Sequence, residues 1–173
     1  MNPLQEKFIW RAYMDKAPFK FIAQELGVSL AQLSAWNKAL EPKWRILSHI
    51  AGLYRTKIKS PAKGHSNISI QQFYDWFTGF EQKQACHYCG ITEKEIATLW
   101  ANGKVETKRT RGRKLELDRL LPNARYEDLS NLVYACYWCN NAKTDTFTAA
   151  EFRKIGAAIG SVWQKRLDEI DEK

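Results

Sequence analysis

Apolar side chains recur at helical spacing from the start of the chain, at Phe8, Ile9, Ala12 and Tyr13. In the stretch 19–36, Ile22, Ala23 and Leu26 would share one face, and Gly27 can take the positive φ of a tight turn. Ser29 is placed to cap a second helix whose buried face is Leu33 and Trp36. A further amphipathic helix is predicted over 44–54. Pro, Gly, Ser and Lys then dominate about residues 57–68, which read as a linker. Beyond it, Ser69 can start a helix through Phe73, Trp76, Phe77 and Phe80, and a short helix follows over 92–100. Two strands are expected, at 115–118 and 131–135. Thr148 and Glu151 form a capping box for a last helix. Its apolar stripe, Phe152, Ile155, Ile159, Val162, Trp163 and Leu167, reads as core.

This pattern predicts an α+β fold, mainly helical, in two parts: a helical domain at 1–57, a linker at 58–68 and a second domain at 69–173. Within the first, Ala23, Gly27, Val28, Leu33 and Trp36 fall at the offsets of a helix-turn-helix. That geometry would turn Gln32, Ser34, Asn37 and Lys38 outward, where Gln32, Asn37 and Lys38 could meet a DNA groove. An ordinary pair of packed helices gives the same pattern.

The chain has 173 residues, 45% of them hydrophobic, enough for one good core or two small ones. Its formal charge is +8, which favours polyanionic partners. Six positive charges and one negative fall within 104–114: Lys104, Lys108, Arg109, Arg111, Arg113 and Lys114 against Glu106. Such a run could track a phosphate backbone, although a solvated loop has the same composition. No apolar stretch approaches the roughly 20 residues of a membrane span, and the first residues carry no export signal. The expectation is a cytoplasmic protein with no membrane contact. Its oligomeric state stays open, a homodimer or a larger assembly included.

All four cysteines fall in Cys-x-x-Cys pairs, Cys86/Cys89 and Cys136/Cys139, with 46 residues between the pairs. In a reducing compartment two such pairs point to metal before disulfides. Four thiolates complete a tetrahedral Zn²⁺ site with no open position, so the zinc would be structural.

Around the second pair the chain reads Leu115-Glu116-Leu117-Asp118-Arg119, then Asn131-Leu132-Val133-Tyr134-Ala135-Cys136-Tyr137-Trp138-Cys139-Asn140-Asn141-Ala142-Lys143. Over about residues 83–152 this resembles the HNH endonuclease family. The resemblance implies two strands and a helix around one catalytic divalent metal (the ββα-metal arrangement), here beside a Cys₄ zinc knuckle. It places the family's metal-binding acid on Asp118, its loop-bracing Asn on Asn131 and its last metal ligand on Asn140. Lys143 matches a basic position near the phosphate. The family's catalytic His falls on Arg119, a departure, because an arginine stays protonated and cannot act as general base. It can still bind a phosphate.

Asp118 and Asn140 offer hard oxygens suited to Mg²⁺ or Mn²⁺. A replacement base could come from His65, Tyr126 or Tyr134, with His49 and His87 the other histidines. The resemblance thus implies a metal-dependent endonuclease acting on nucleic acid, double-stranded DNA first. Two alternatives remain: an HNH-like zinc protein that binds nucleic acid without cutting it, and a zinc-stabilised interaction module.

Overall fold

The computed structural model describes residues 1–59, 66–79, 85–107, 111–124, 126 and 128–172. Its contacts divide the chain into two compact units, Met1–Phe77 and Thr78–Lys173. The fold is mainly helical, with one small two-stranded antiparallel sheet.

The first unit is all helix among its described residues. Helix α1 (Pro3–Ile9) starts on a capping box between Asn2 and Gln5, with Pro3 in its first turn. It runs into a π-helical turn, Trp10–Met14. Helices α2 (Phe19–Leu26) and α3 (Leu30–Ala39) are joined at Gly27, whose φ of 66° suits a residue without a side chain. Ser29 caps α3 by accepting the N–H of Gln32, as its position in the sequence predicts. Helix α4 (Glu41–Leu53) follows, beginning three residues earlier than the apolar pattern suggests, with Pro42 in its first turn. Phe8, Ile22, Leu33 and Ile50 have no exposed surface and form the centre of this core.

The predicted linker differs in its described parts. A second π-helical turn, Tyr54–Ile58, buries Tyr54 and Ile58. The Tyr54 hydroxyl donates to the Ile68 carbonyl at 2.8 Å, and Ser66 and Ile68 are buried. Apolar side chains thus draw the two described ends of the stretch into the first unit's core. Helix α5 (Ile70–Gly79) starts after Ser69 as expected, Ser69 caps it, and Phe73 stacks on Trp76 at 5.6 Å. Residues 60–65 of the linker, His65 among them, and Phe80 lie outside the described residues.

In the second unit, helix α6 (Glu93–Ala101) starts on a Thr92–Glu95 capping box. Strands β1 (Glu116–Arg119) and β2 (Leu132–Ala135) pair antiparallel, with Glu116 opposite Ala135 and Arg119 opposite Leu132. Alternation along β1 buries Leu117 and leaves Glu116 and Asp118 on the other face. Helices α7 (Tyr137–Lys143) and α8 (Ala149–Asp171) complete the unit, and α8 uses the predicted Thr148–Glu151 box. The α8 stripe needs correction. Phe152 and Trp163 are buried, but Ile155 and Val162 are 42% and 48% exposed, and Gly156 is buried in their place. An ideal Cβ at Gly156 would lie 2.7 Å from the Tyr88 carbonyl oxygen, and one at Gly160 2.7 Å from that of Cys89. The helix turns its glycine edge to the first cysteine pair, which rotates part of the apolar stripe outward. Among the described residues no helix is long and apolar enough to cross a membrane.

Candidate functional site

The two cysteine pairs meet. Each begins locally: the turn of the first is closed by Gly90 N–H donating to the Cys86 carbonyl (2.9 Å), with Gly90 at φ 79°. The second opens α7, where the Cys136 sulfur accepts the N–H of Cys139 at 3.4 Å. The His87 N–H donates to the Tyr134 carbonyl at 2.8 Å and ties the first pair to β2. All four sulfurs lie within 4.8 Å of one another, and Cys89 and Cys136 are 3.7 Å apart. A tetrahedron of ~2.3 Å zinc–sulfur bonds has edges of about 3.8 Å, so the sulfur set fits a zinc ion. Without a cation the four cannot all ionise: hydrogen bonds from Cys136, Cys139 and Cys89 favour the Cys86 thiolate, and Cys136, then Cys86 with its charge, keep Cys139 a thiol. A metal ion among them would allow all four to bind as thiolates.

Asp118 sits beside this centre. Its Oδ2 accepts the hydroxyl of Tyr88, a residue between the first two cysteines, at 2.6 Å. The same oxygen lies 3.2 Å from the Lys143 ammonium. Lys143, expected near a phosphate, has no exposed surface, and it also donates to the Arg119 carbonyl at 2.8 Å. Its three donors are directed into the fold, where they tie α7 to the end of β1.

Arg119 is held more loosely. One guanidinium nitrogen donates to the Ala124 carbonyl at 2.9 Å, the other to Asp145 at 3.1 Å, and the plane lies 4.9 Å from the Tyr126 ring centre. Asp145 is 79% exposed, so that ion pair is screened by water. Asn131 is buried, and its side-chain oxygen accepts the Leu121 N–H at 2.9 Å while its carbonyl takes that of Leu120. It braces the segment that leaves β1. Asn140 projects from α7 and donates to Glu116 Oε2 at 2.7 Å, leaving its own Oδ1 as a donor atom for a ligand. Arg111 pairs with the other Glu116 oxygen at 2.7 Å.

The oxygen ligands expected for a divalent ion are one carboxylate, Asp118, and one amide, Asn140, which reaches β1 at Glu116, two residues before Asp118. Mg²⁺ and Mn²⁺ accept such lean sets, because they keep several waters and take further oxygens from a substrate phosphate. The residues fit. Among the described residues the cysteines are the only cluster of three or more His, Cys, Asp or Glu side chains that could share an ion.

Neither tyrosine considered as a base is poised to act as one. Burial pushes Tyr126 above the ordinary phenol, against the pull of Arg119, and burial followed by the charge of Glu93 does the same to Tyr134. Tyr88 is raised by burial and then by its bond to Asp118, so it stays a proton donor. His49 packs against Phe77 in the first unit, and His87 is exposed on the first cysteine turn.

The basic run is partly neutralised within the chain. Lys104 pairs with Glu169 at 2.7 Å, and Arg111 is committed to Glu116 and the Tyr137 ring. Arg113 stacks over Trp100 at 4.1 Å, and both it and Lys114 are exposed. Lys108 and Arg109 lie outside the described residues. On α3, Gln32, Ser34 and Lys38 are exposed, whereas Asn37 is half-buried, accepts the Tyr13 hydroxyl and gives its carbonyl to the Trp44 indole at 2.8 Å. Tyr13 stacks on Trp44 at 4.6 Å, which draws Asn37 inward.

Sequence reasoning missed Tyr88, Glu116 and the two α8 glycines. Only the glycines left a signal, a Gly-x-x-x-Gly spacing at Gly156 and Gly160 that marks close backbone approach. Tyr88 and Glu116 act across 30 and 24 residues of sequence.

No model of a known protein family matches the chain, nor does any curated protein. Among solved structures it is similar to the rare-cutting HNH restriction endonuclease PacI, described for its mechanism of DNA perturbation. The two share 27% identity at a TM-score of 0.48, over 71% of this chain and 78% of that one. At that level of likeness, what this chain does is decided by its own residues.

Proposed function

We propose that this protein is an HNH-type endonuclease that cuts nucleic acid, double-stranded DNA in the first place, with a divalent ion and a structural zinc. The observation that carries the reading is one helix reaching the end of one short strand beside a four-sulfur centre: Lys143 meets Asp118 and the Arg119 carbonyl, and Asn140 meets Glu116, two residues before Asp118. Asp118 and Asn140 would hold Mg²⁺ or Mn²⁺. When bound, such an ion polarises the phosphoryl oxygen and acidifies a water.

The chain's own groups do the rest. Lys143 and Tyr88 fix the Asp118 carboxylate, and Asn131 holds the segment after β1 so that Arg119 leaves the strand at a set angle. Arg119 keeps its bond to Ala124 and exchanges exposed Asp145 for a phosphate oxygen, which a guanidinium binds through parallel donors. The charge of +8 draws a polyanion to the surface, with Arg113 and Lys114 exposed to meet it. A second contact to DNA runs through Gln32 and Lys38 of α3. One observation favours a protein that binds without cutting: Arg119 stands in the base position, and the buried Tyr126 beside it is raised, not lowered.

A plasmid-nicking assay with Mg²⁺ and Mn²⁺ separates the two readings. An active wild type should lose all metal-dependent nicking in Asp118→Ala, and about a hundredfold in Arg119→Ala, the cost of losing one transition-state donor. A silent wild type that nicks after Arg119→His is a nuclease scaffold disarmed at its base. If neither form nicks duplex or single-stranded nucleic acid with either metal, the enzyme reading is abandoned for the binding one.

A further inference from the structure

We infer that Tyr88 is a positioning residue for the divalent-metal site, through which the cysteine centre sets the orientation of Asp118. The inference rests on the endonuclease reading above and adds a residue to it that no motif marks. Tyr88 lies between Cys86 and Cys89, so its backbone goes wherever the four-sulfur centre holds that turn. Its ring is buried and packs edge-on against Phe152 of α8 at 5.2 Å. Its carbonyl lies close under Gly156, where a methyl group would come within 2.7 Å. Backbone and ring are therefore fixed from two sides, which leaves the hydroxyl little freedom.

That hydroxyl donates to Asp118 Oδ2 at 2.6 Å, the length of a bond to an ionised acceptor. The Lys143 ammonium is 3.2 Å from the same oxygen and 5.8 Å from the Tyr88 ring centre. Two donors on Oδ2 stop the carboxylate from rotating and present Oδ1 as the atom for an ion. A metal-ligating carboxylate held in this way binds its ion more tightly, and loss of such a partner typically costs ten- to a hundredfold in metal affinity. A buried tyrosine serving only the core would need its ring, and its hydroxyl could go to any acceptor.

The test is Tyr88→Phe in the full, zinc-loaded chain. The variant keeps the ring contacts and removes only the hydroxyl. Mn²⁺ binding is read by titration calorimetry, and the Mn²⁺ concentration for half-maximal nicking is read beside it. The expected result is an unchanged zinc content, a loss of about tenfold or more in Mn²⁺ affinity, and a matching rise in the half-maximal concentration, with nicking at saturating Mn²⁺ little changed. His87→Ala, an exposed neighbour in the same turn, should leave all of these where they are. Unchanged Mn²⁺ affinity in Tyr88→Phe overturns the inference and leaves the endonuclease reading intact. So does an equal loss in His87→Ala, because distortion of the turn would then account for both. A wild type that neither binds Mn²⁺ nor nicks removes the endonuclease reading, and this inference with it.

Discussion

Lys143 is the residue whose surroundings depart furthest from its type. Lysines are almost never fully buried unless paired, and this one meets a carboxylate and a carbonyl, both from β1. Removing one partner of a buried ion pair is costly because the other stays behind without compensation. Lys143→Met keeps most of the side-chain volume and strands the Arg119 carbonyl and part of the Asp118 charge. Urea unfolding should show a loss of about 3 kcal/mol, at the low end for such pairs because Tyr88 still serves Asp118. A change under half that size would mean that water reaches the pair. The strands that carry Asp118 and follow Asn131 were legible in the apolar pattern, whereas the roles expected of the two residues came from the HNH resemblance alone. The burial of Lys143 was not legible. It depends on how α7 lies across β1, a contact spanning 24 residues.

At the scale of elements, caps were easier to read than faces. Ser29 and Thr148 cap the helices they were expected to cap, and Ser69 and Thr92, read only as helix starts, prove to be caps too, because a cap is decided within four residues. The buried face of α8 is decided by its neighbour. Periodicity puts Ile155 and Val162 in the core, but close approach to the cysteine turn favours the edge with Gly156 and Gly160. The glycines make a sharp comparison. Gly160→Ala would place a methyl 2.7 Å from the Cys89 carbonyl, and forcing it in should cost about 1–3 kcal/mol. Gly52→Ala, in α4 with nothing within 4 Å of the added carbon, should instead stabilise by about 0.5–1 kcal/mol. Thermal unfolding of the two variants would move in opposite directions. A neutral Gly160→Ala would mean that α8 can lift off the turn at no cost.

The whole molecule is built as two units with different sources of stability. The first has a continuous apolar core from Phe8 to Phe73 and few buried polar groups. The second has a smaller core around Ile96, Leu99, Leu117 and Phe152 and a two-stranded sheet of only four residues a side, and a metal held by the four sulfurs would add support. Chelating the zinc, or Cys139→Ser, should therefore unfold the second unit and spare helical signal from the first. Circular dichroism with metal analysis would read one zinc released and a partial loss of ellipticity. Loss of all structure at once, or none, would contradict this division. The split itself was only half legible. Composition suggested a linker, but Ile58, Ser66 and Ile68 are bound into the first core, and the units part after Phe77.

The separation of the two cysteine pairs along the chain also sets an order of events in folding. Each pair is shaped within a handful of residues, by Gly90 in one case and by the start of α7 in the other. Such turns form in about a microsecond or less, whereas joining them requires the chain to close a loop of 46 residues and align β1 with β2. A zinc ion that arrives early meets two half-sites, either of which can hold it by two sulfurs. Excess metal during refolding would fill both halves separately, and one ion must then leave before the fold can close. The same symmetry of spacing that makes the site recognisable makes its assembly slowest when metal is most abundant.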